Sequence, residues 1–421
     1  MEGKTYYLKN FNLIDGTGSE PKANAEILIK NNWIEDIGER GSIDVPSNVK
    51  TFDLEEKTLM PGLNDAHLHL HGSRDGDPRS SRFLPSWEAR RAIRAAEDAK
   101  ALINAGYTSC RDAGGRVALG LRDAINEGTI PGPRILAAGR PINSTYGHIG
   151  RNPLPPSFFA PDTYADGVEE CIKAVRTRLR EGSDFIKIST GLWGESKTYL
   201  EGGCIPSYTV KEIKAMNYEA ESMGFFVMTH ANGYAGIMNA LEAGVFSIEH
   251  GGNHTDEKKD KEMFRTIIKN NAIWAPTTAI IWKPYEYAKK AFGWSEADIK
   301  TWNENLFQSL RTANEMGVRI ASSTDYSGSG SIGGQAMGTA NSFNLELLVR
   351  AGLPPMDVIV AATKRGAEAM RMEEDLGTLE KGKWADMIVI DGDPIGDIKI
   401  LQELENIKLV IKNGEIAVNR L

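Results

Sequence analysis

Short apolar runs at 6–13, 25–30, 33–37 and 51–54 open the chain, separated by turn signals such as Asp15-Gly16-Thr17-Gly18. That spacing predicts short strands joined by turns. The same character returns at 385–391 and 407–414. Two β segments flanking a long middle are expected to pair into one small β-sandwich domain, residues 1–60 with 377–421, bringing the two ends of the chain together.

From 61 to 376 the pattern changes. Strand-like runs at 65–71, 108–113, 134–138, 185–190, 225–230, 246–250, 272–277 and 319–325 alternate with helical patterns, among them 87–104, 167–181, 210–223 and 303–315. Gly106, Gly182, Gly224 and Gly317 each follow such a helix, where a C-cap is needed. Eight βα units predict an α/β fold, a (β/α)8 TIM-like barrel with its active site at the C-terminal ends of the strands. An open doubly wound sheet is the alternative.

The first of these runs, Asp65-Ala66-His67-Leu68-His69-Leu70-His71, alternates polar with apolar side chains. In a strand this puts Asp65, His67, His69 and His71 on one face. A single histidine there would be an ordinary, partly exposed strand residue, but a row of them suits a metal ion. Lys187 sits between Ile186 and Ile188, where an unpaired ammonium is costly. Two explanations stand: a carboxylate partner, or reaction of the amine with carbon dioxide to give a carbamate able to bridge two metals. His230 and His250 end successive runs, each ahead of a glycine-containing loop, and Asp325 ends the last. A carboxylate at that place either caps a turn or takes a proton from water and passes it to a leaving group.

Composition narrows the class. The 421 residues are 41% hydrophobic and 25% charged, ordinary for a soluble globular protein. A net charge of -8, with no basic cluster interleaved with aromatics, argues against a nucleic-acid surface. Cys110, Cys171 and Cys204 are too few for a disulfide framework or a cysteine-rich zinc site, and are expected to be reduced. Neither a signal-peptide pattern nor an apolar stretch of ~18 residues is evident, so a cytoplasmic protein without a membrane span is expected.

Taken together, these residues resemble the amidohydrolase superfamily. The likeness runs from Gly16-Thr17-Gly18 to Asn413-Gly414 and is strongest in Pro61-Gly62-Leu63-Asn64-Asp65-Ala66-His67-Leu68-His69, with the stretch 377–386 resembling the return into the small domain. The resemblance implies that His67 and His69 are a metal pair, that Lys187 is a carbamylated bridge, and that His230 and His250 hold a second metal. Asp325 becomes both ligand and general base, and His71 is left over. Two divalent metals are implied, and donors of nitrogen and oxygen without thiolate suit zinc, with manganese or cobalt as alternatives. They would activate a shared water for hydrolysis of an amide or peptide-like C–N bond.

Stretches 105–115, 132–136 and 184–188 resemble the imidazolonepropionase-related, prolidase-type branch, which includes Xaa-Pro and Xaa-Arg/Lys dipeptidases and N-acyl amino acid hydrolases. Two departures stand out. Where peptidase members tend to carry His-Ala-Tyr, this chain has His230-Ala231-Asn232, with Tyr234 two places later, and where the branch often has Gly-Gly-His-Gly it has Tyr146-Gly147-His148-Ile149. His148, Asn232, Tyr234, Trp193 and Tyr146 are therefore the candidates for facing the substrate. The long segment 190–208 is a candidate lid, and Trp193, Tyr199, Tyr208 and Trp282 a candidate aromatic pocket. The expected partner is a small-molecule amide or dipeptide, with the chain a homo-oligomer. A mononuclear deaminase of a heterocycle is the alternative, which Lys187 argues against. A non-catalytic scaffold is a weaker one, because all six metal-type residues are present.

Overall fold

The computed structural model describes residues 4–74, 88–148, 164–191, 205–252, 256–329 and 336–421. Strands β1 (Thr5–Leu13), β2 (Lys22–Lys30), β3 (Trp33–Glu39), β4 (Lys50–Asp53) and β5 (Thr58–Pro61) open the chain. The middle carries β6 (Leu63–Leu68), β7 (Tyr107–Asp112), β8 (Arg134–Ala137), β9 (Ile186–Ser189), β10 (Val227–Ala231), β11 (Ser247–His250) and β12 (Ile273–Ala275). The end adds β13 (Met387–Ile390), β14 (Ile407–Lys412) and β15 (Glu415–Asn419).

The strands from both ends join in one eight-stranded sheet, ordered β15-β14-β13-β5-β1-β2-β3 with β4 against β1. The tie is the antiparallel pair of β13 and β5, with Met387 opposite Pro61 and Ile390 opposite Thr58. Alternation divides these strands cleanly between two cores. Leu59, Met387, Val389, Leu409 and Ile411 pack with Leu8, Phe11, Ile27 and Ile29 in a cluster of their own. Their neighbours Met60, Ile388, Ile390 and Val410 join the large core that the helices cover.

In the middle, β6-β7-β8 form one parallel sheet and β9-β10-β11-β12 another. Backbone hydrogen bonds link the two directly on one side and through residues 321 and 322 on the other. On one side Asp184 N–H donates to Ala137 O at 2.9 Å and Ile142 N–H to Lys187 O at 2.8 Å; on the other Ala321 N–H donates to Trp274 O at 2.9 Å and Ala66 N–H to Ser322 O at 2.8 Å.

The run 319–325, expected as the eighth strand, is not a regular strand. Its pairing is reduced to a single bridge between Ile320 and Trp274. The reason is how its donors are spent: Ala321 bonds to Trp274, Ser322 to Ala361, and both Thr324 and Asp325 to His67. No single neighbour receives a ladder.

The expected helices form, and Gly106, Gly182, Gly224 and Gly317 after them have φ of 88°, 93°, 85° and 80°. The helix expected at 303 begins earlier, at Glu296, because Ser295 caps it. Ser295 Oγ accepts from Asp298 N–H at 3.2 Å, and the Asp298 carboxylate accepts in return from Ser295 N–H at 3.1 Å. Among the described residues no helix is long and apolar enough to cross a membrane. Cys110 and Cys171 are buried free thiols, and Cys204 lies outside the described residues.

Candidate metal centre

The strict alternation expected from Asp65 to His71 breaks at the point where it matters. The register between β6 and β7 shifts between Asp65 and Leu68, and β6 ends at Leu68. Asp65 therefore parts company with the histidines. Its carboxylate accepts from Thr324 Oγ1 and Asn341 Nδ2, each at 2.7 Å.

The histidines themselves come together in a column. Ring centroids step from His71 to His69 at 4.9 Å, His69 to His67 at 5.4 Å, His67 to His250 at 5.0 Å, His250 to His230 at 4.4 Å and His230 to His148 at 4.0 Å. Asp325 meets this column: its Oδ1 lies 3.0 Å from His69 Nε2 and 3.4 Å from His67 Nε2. The candidate donor atoms of His67, His69 and Asp325 all lie within 4.8 Å of one another. Lys187, in β9, is 5% exposed, and its positive charge helps to depress the pKa of both His230 and His250.

The proton on each ring can be assigned from the acceptor it faces. Gly114 O, 3.0 Å from His69 Nδ1, can only accept, so that nitrogen carries the proton. Thr277 Oγ1 donates to Pro276 O at 2.8 Å, so at 2.7 Å from His250 Nδ1 it accepts. Glu249 Oε2 accepts from His67 Nδ1 at 2.6 Å. Each of these imidazoles thus keeps the lone pair of Nε2, and for His67 and His69 that is the nitrogen turned toward Asp325. At His230 Asn232 Nδ2 donates to Nε2 at 2.8 Å, so Nε2 again bears the lone pair, here facing an amide.

Electrostatics favour the ligating forms. Burial, then the neighbouring His148, His250 and Lys187 charges, holds His230 well below the usual imidazole pKa. Burial, with His67 and Lys187, does the same for His250 against the pull of Asp325. Burial pushes Asp325 up, but the adjoining His67 and His69, whose Nε2 atoms share with it any proton taken up there, outweigh burial and hold the carboxyl well below its usual range. Imidazoles and an ionised carboxylate, without a thiolate among them, form a donor set that fits a divalent ion such as zinc.

The backbone is strained at the same place. His250, Thr277 and Asp325 have φ of 64°, 49° and 61°. Left-handed geometry is costly for these residues, most of all for a β-branched threonine, and such strain gathers at functional sites.

Of the expected substrate residues, His148 and Asn232 border His230. Tyr146 is 63% exposed. Tyr234 turns to the next helix, where its hydroxyl meets Glu262 and Lys259 Nζ lies 5.8 Å from its ring. Trp193, Tyr199 and most of the candidate lid, 192–204, lie outside the described residues. Tyr208 and Trp282 do not meet in an aromatic pocket. Tyr208 is buried with its hydroxyl donating to Ala165 O at 3.1 Å, and Trp282 packs on Phe343 at 5.6 Å.

Sequence reasoning missed Glu249 and Arg111, both fully buried and paired at 2.8 Å. Each is a charge within a fully buried strand and, like Lys187, needs a partner there.

Parallel strands whose ends gather imidazoles around a carboxylate define a hydrolase of the amidohydrolase type. The chain belongs to the Amidohydrolase family, which it matches over residues 58–417. It is similar to ochratoxinase of Aspergillus niger, 29% identical over 426 residues that cover 96% of this chain and 85% of that protein. It is also similar to imidazolonepropionase of Symbiobacterium thermophilum, 24% identical over 407 residues covering 90% and 85%. Among solved structures it is similar to a Xaa-Pro dipeptidase with methionine bound in the active site, at 32% identity and a TM-score of 0.82 over 98% of this chain and 99% of that one. The protein is accordingly an enzyme, a hydrolase acting on carbon–nitrogen bonds.

Proposed function

We propose that this enzyme is a two-metal hydrolase cleaving the amide or peptide-like C–N bond of a small dipeptide or N-acyl amino acid. The observation that carries the reading is the meeting of His67 and His69 Nε2 at Asp325, in one column with His250 and His230. His67, His69, Lys187, His230, His250 and Asp325 would hold the two ions, zinc by donor type. Bound metal supplies Lewis-acid polarisation of the scissile carbonyl and a water of lowered pKa.

The chain's own groups do the rest. Asp325, held ionised by two imidazoles, accepts the proton of the attacking water and returns it to the leaving nitrogen. Lys187 in its neutral form adds to carbon dioxide and loses a proton, becoming a carbamate. That reaction exchanges the positive charge facing His230 and His250 for a negative one. His148 and Asn232 flank His230 on the substrate side, with Tyr146, Tyr234 and Trp193 as further candidates.

The same reading takes residues 61–376 as a closed (β/α)8 barrel, supported by the backbone bonds along both seams between the parallel sheets. Residues 1–60 and 377–421 then form the small domain, supported by their shared sheet. Similarity to a Xaa-Pro dipeptidase and to ochratoxinase supports an amide-type substrate.

The test is metal counting and turnover on the same purified sample, across Xaa-Pro dipeptides, N-acyl amino acids and aryl amides. Two ions per chain, release of an amino acid, and loss of both metal and turnover in Lys187→Ala are expected. A single ion per chain, unchanged by Lys187→Ala, with ammonia released from a heterocycle, would overturn the proposal in favour of a mononuclear deaminase.

A further inference from the structure

We infer that the buried Arg111–Glu249 pair is a positioning device for His67, setting which of its nitrogens carries the proton and where the ring points. The inference rests on the proposed role of His67 as a metal ligand. Arg111 and Glu249 are both 0% exposed. Arg111, on β7, reaches across the gap between the two parallel sheets. Its Nε donates to Ala66 O at 2.7 Å on β6, its Nη1 to Ala369 O at 2.8 Å, and its Nη2 to Ser247 Oγ at 3.0 Å and Glu249 Oε1 at 2.8 Å, both on β11.

These bonds leave the carboxylate no freedom. Glu249 Oε1 takes Arg111 and the Ser247 hydroxyl, so Oε2 alone is left, and it accepts from His67 Nδ1 at 2.6 Å. The arginine that places Glu249 also grips the carbonyl of Ala66, the residue just before His67. Ring and backbone of His67 are thus held from one guanidinium.

A purely structural role explains this arrangement poorly. A buried ion pair is often no better for stability than apolar side chains of similar size. What apolar side chains would not supply is an acceptor for Nδ1–H, and with it the lone pair at Nε2 and a more basic ligand.

The experiment uses the full chain, stripped of metal by chelation. Zinc affinity is measured by competition with a chromophoric chelator, the visible spectrum is recorded with cobalt, and melting is followed without metal. Glu249→Gln is expected to bind zinc roughly 10- to 100-fold more weakly, with an altered cobalt spectrum. The double variant Arg111→Met/Glu249→Leu replaces the pair with apolar side chains and guards against misfolding of the single one. It is expected to keep a cooperative melt, below that of wild type because the Ala66 and Ala369 carbonyls lose their donor, while showing the same loss of zinc affinity. If both variants bind zinc and cobalt as wild type does, or differ only in melting temperature, the inference falls alone. If the wild-type chain binds no zinc, the two-metal reading falls and takes the inference with it.

Discussion

Replacing Lys283 by methionine should stabilise the protein at neutral pH. Lys283 stands in the segment after β12, where its backbone is clamped by Asn303. Its N–H donates to Asn303 Oδ1 at 2.9 Å, and Asn303 Nδ2 donates back to Lys283 O at 2.9 Å. Among the described residues Nζ makes no ion pair: it donates to Ile280 O at 2.5 Å and lies 6.0 Å from the Phe292 ring. Burial lowers the ammonium pKa from 10.5 to about 8, against the smaller pull of Asp325. That gap corresponds to roughly 3 kcal/mol of cost in keeping the folded state protonated.

The sign follows from proton counting. Between pH 8 and 10.5 the unfolded chain still binds the proton that the folded chain has released, so stability rises with pH in that window and is lost as pH falls through 8. Lys283→Met removes the titrating group and keeps the length of the side chain. Calorimetric melting at pH 7 and at intervals to pH 10.5 is the assay. The variant should be more stable than wild type at pH 7, by about 2–3 kcal/mol once imperfect packing is allowed for, and the two should converge toward pH 10.5. A variant no more stable at pH 7, with a pH profile parallel to that of wild type, would refute the reasoning.

Three further outcomes can be checked. Asp325→Asn should retain the fold but lower kcat/KM by at least ~100-fold, read on whichever amide is turned over, because the amide cannot accept the water proton. Glu26→Gln should flatten the acid limb of stability. Burial raises the Glu26 carboxyl, but hydrogen bonds from Tyr7 and from the Gly41 and Ile43 N–H groups outweigh it and lower its pKa. Its contribution is therefore present above the ordinary value of 4.5 and lost as pH falls below it, which denaturant titrations in that range would show. Asp98→Ala should cost about 2–4 kcal/mol and reduce turnover while leaving metal content unchanged. Asp98, on the helix Glu88–Asn104, accepts from Arg74 Nη1 at 3.0 Å and Ser329 Oγ at 2.6 Å, close in sequence to His71 and Asp325, so unchanged melting and turnover would sink the prediction.

Why some of this could be read from sequence and some could not is a matter of range. Hydrophobic period and glycine placement report local geometry, so the order of strands and helices, and the left-handed glycines after the helices, emerged close to their observed places. The run 319–325 did not form its expected strand because its register is set by three distant carbonyls, those of Trp274, Ala361 and His67. The same holds for Asp65, whose partners Thr324 and Asn341 are far along the chain. Strand β5 passed unnoticed because its partner β13 lies far along the chain, whereas β15 was missed although its hairpin with β14, turning at Asn413-Gly414, is a local signal.

At the site the division is sharper. A histidine at a strand end can be seen in sequence, but the nitrogen it offers cannot. For His67, His69 and His250 that choice is made by a glutamate on β11, the carbonyl of Gly114, and a threonine held at φ 49°. Only the glutamate carried a usable signal, as a charge within a buried strand. A glycine carbonyl has no side-chain signature at all, and Thr277 accepts from His250 only because its own hydroxyl proton is given to Pro276. The residue types in the column were thus open to inspection, whereas its protonation, on which ligation depends, is a property of the assembled fold.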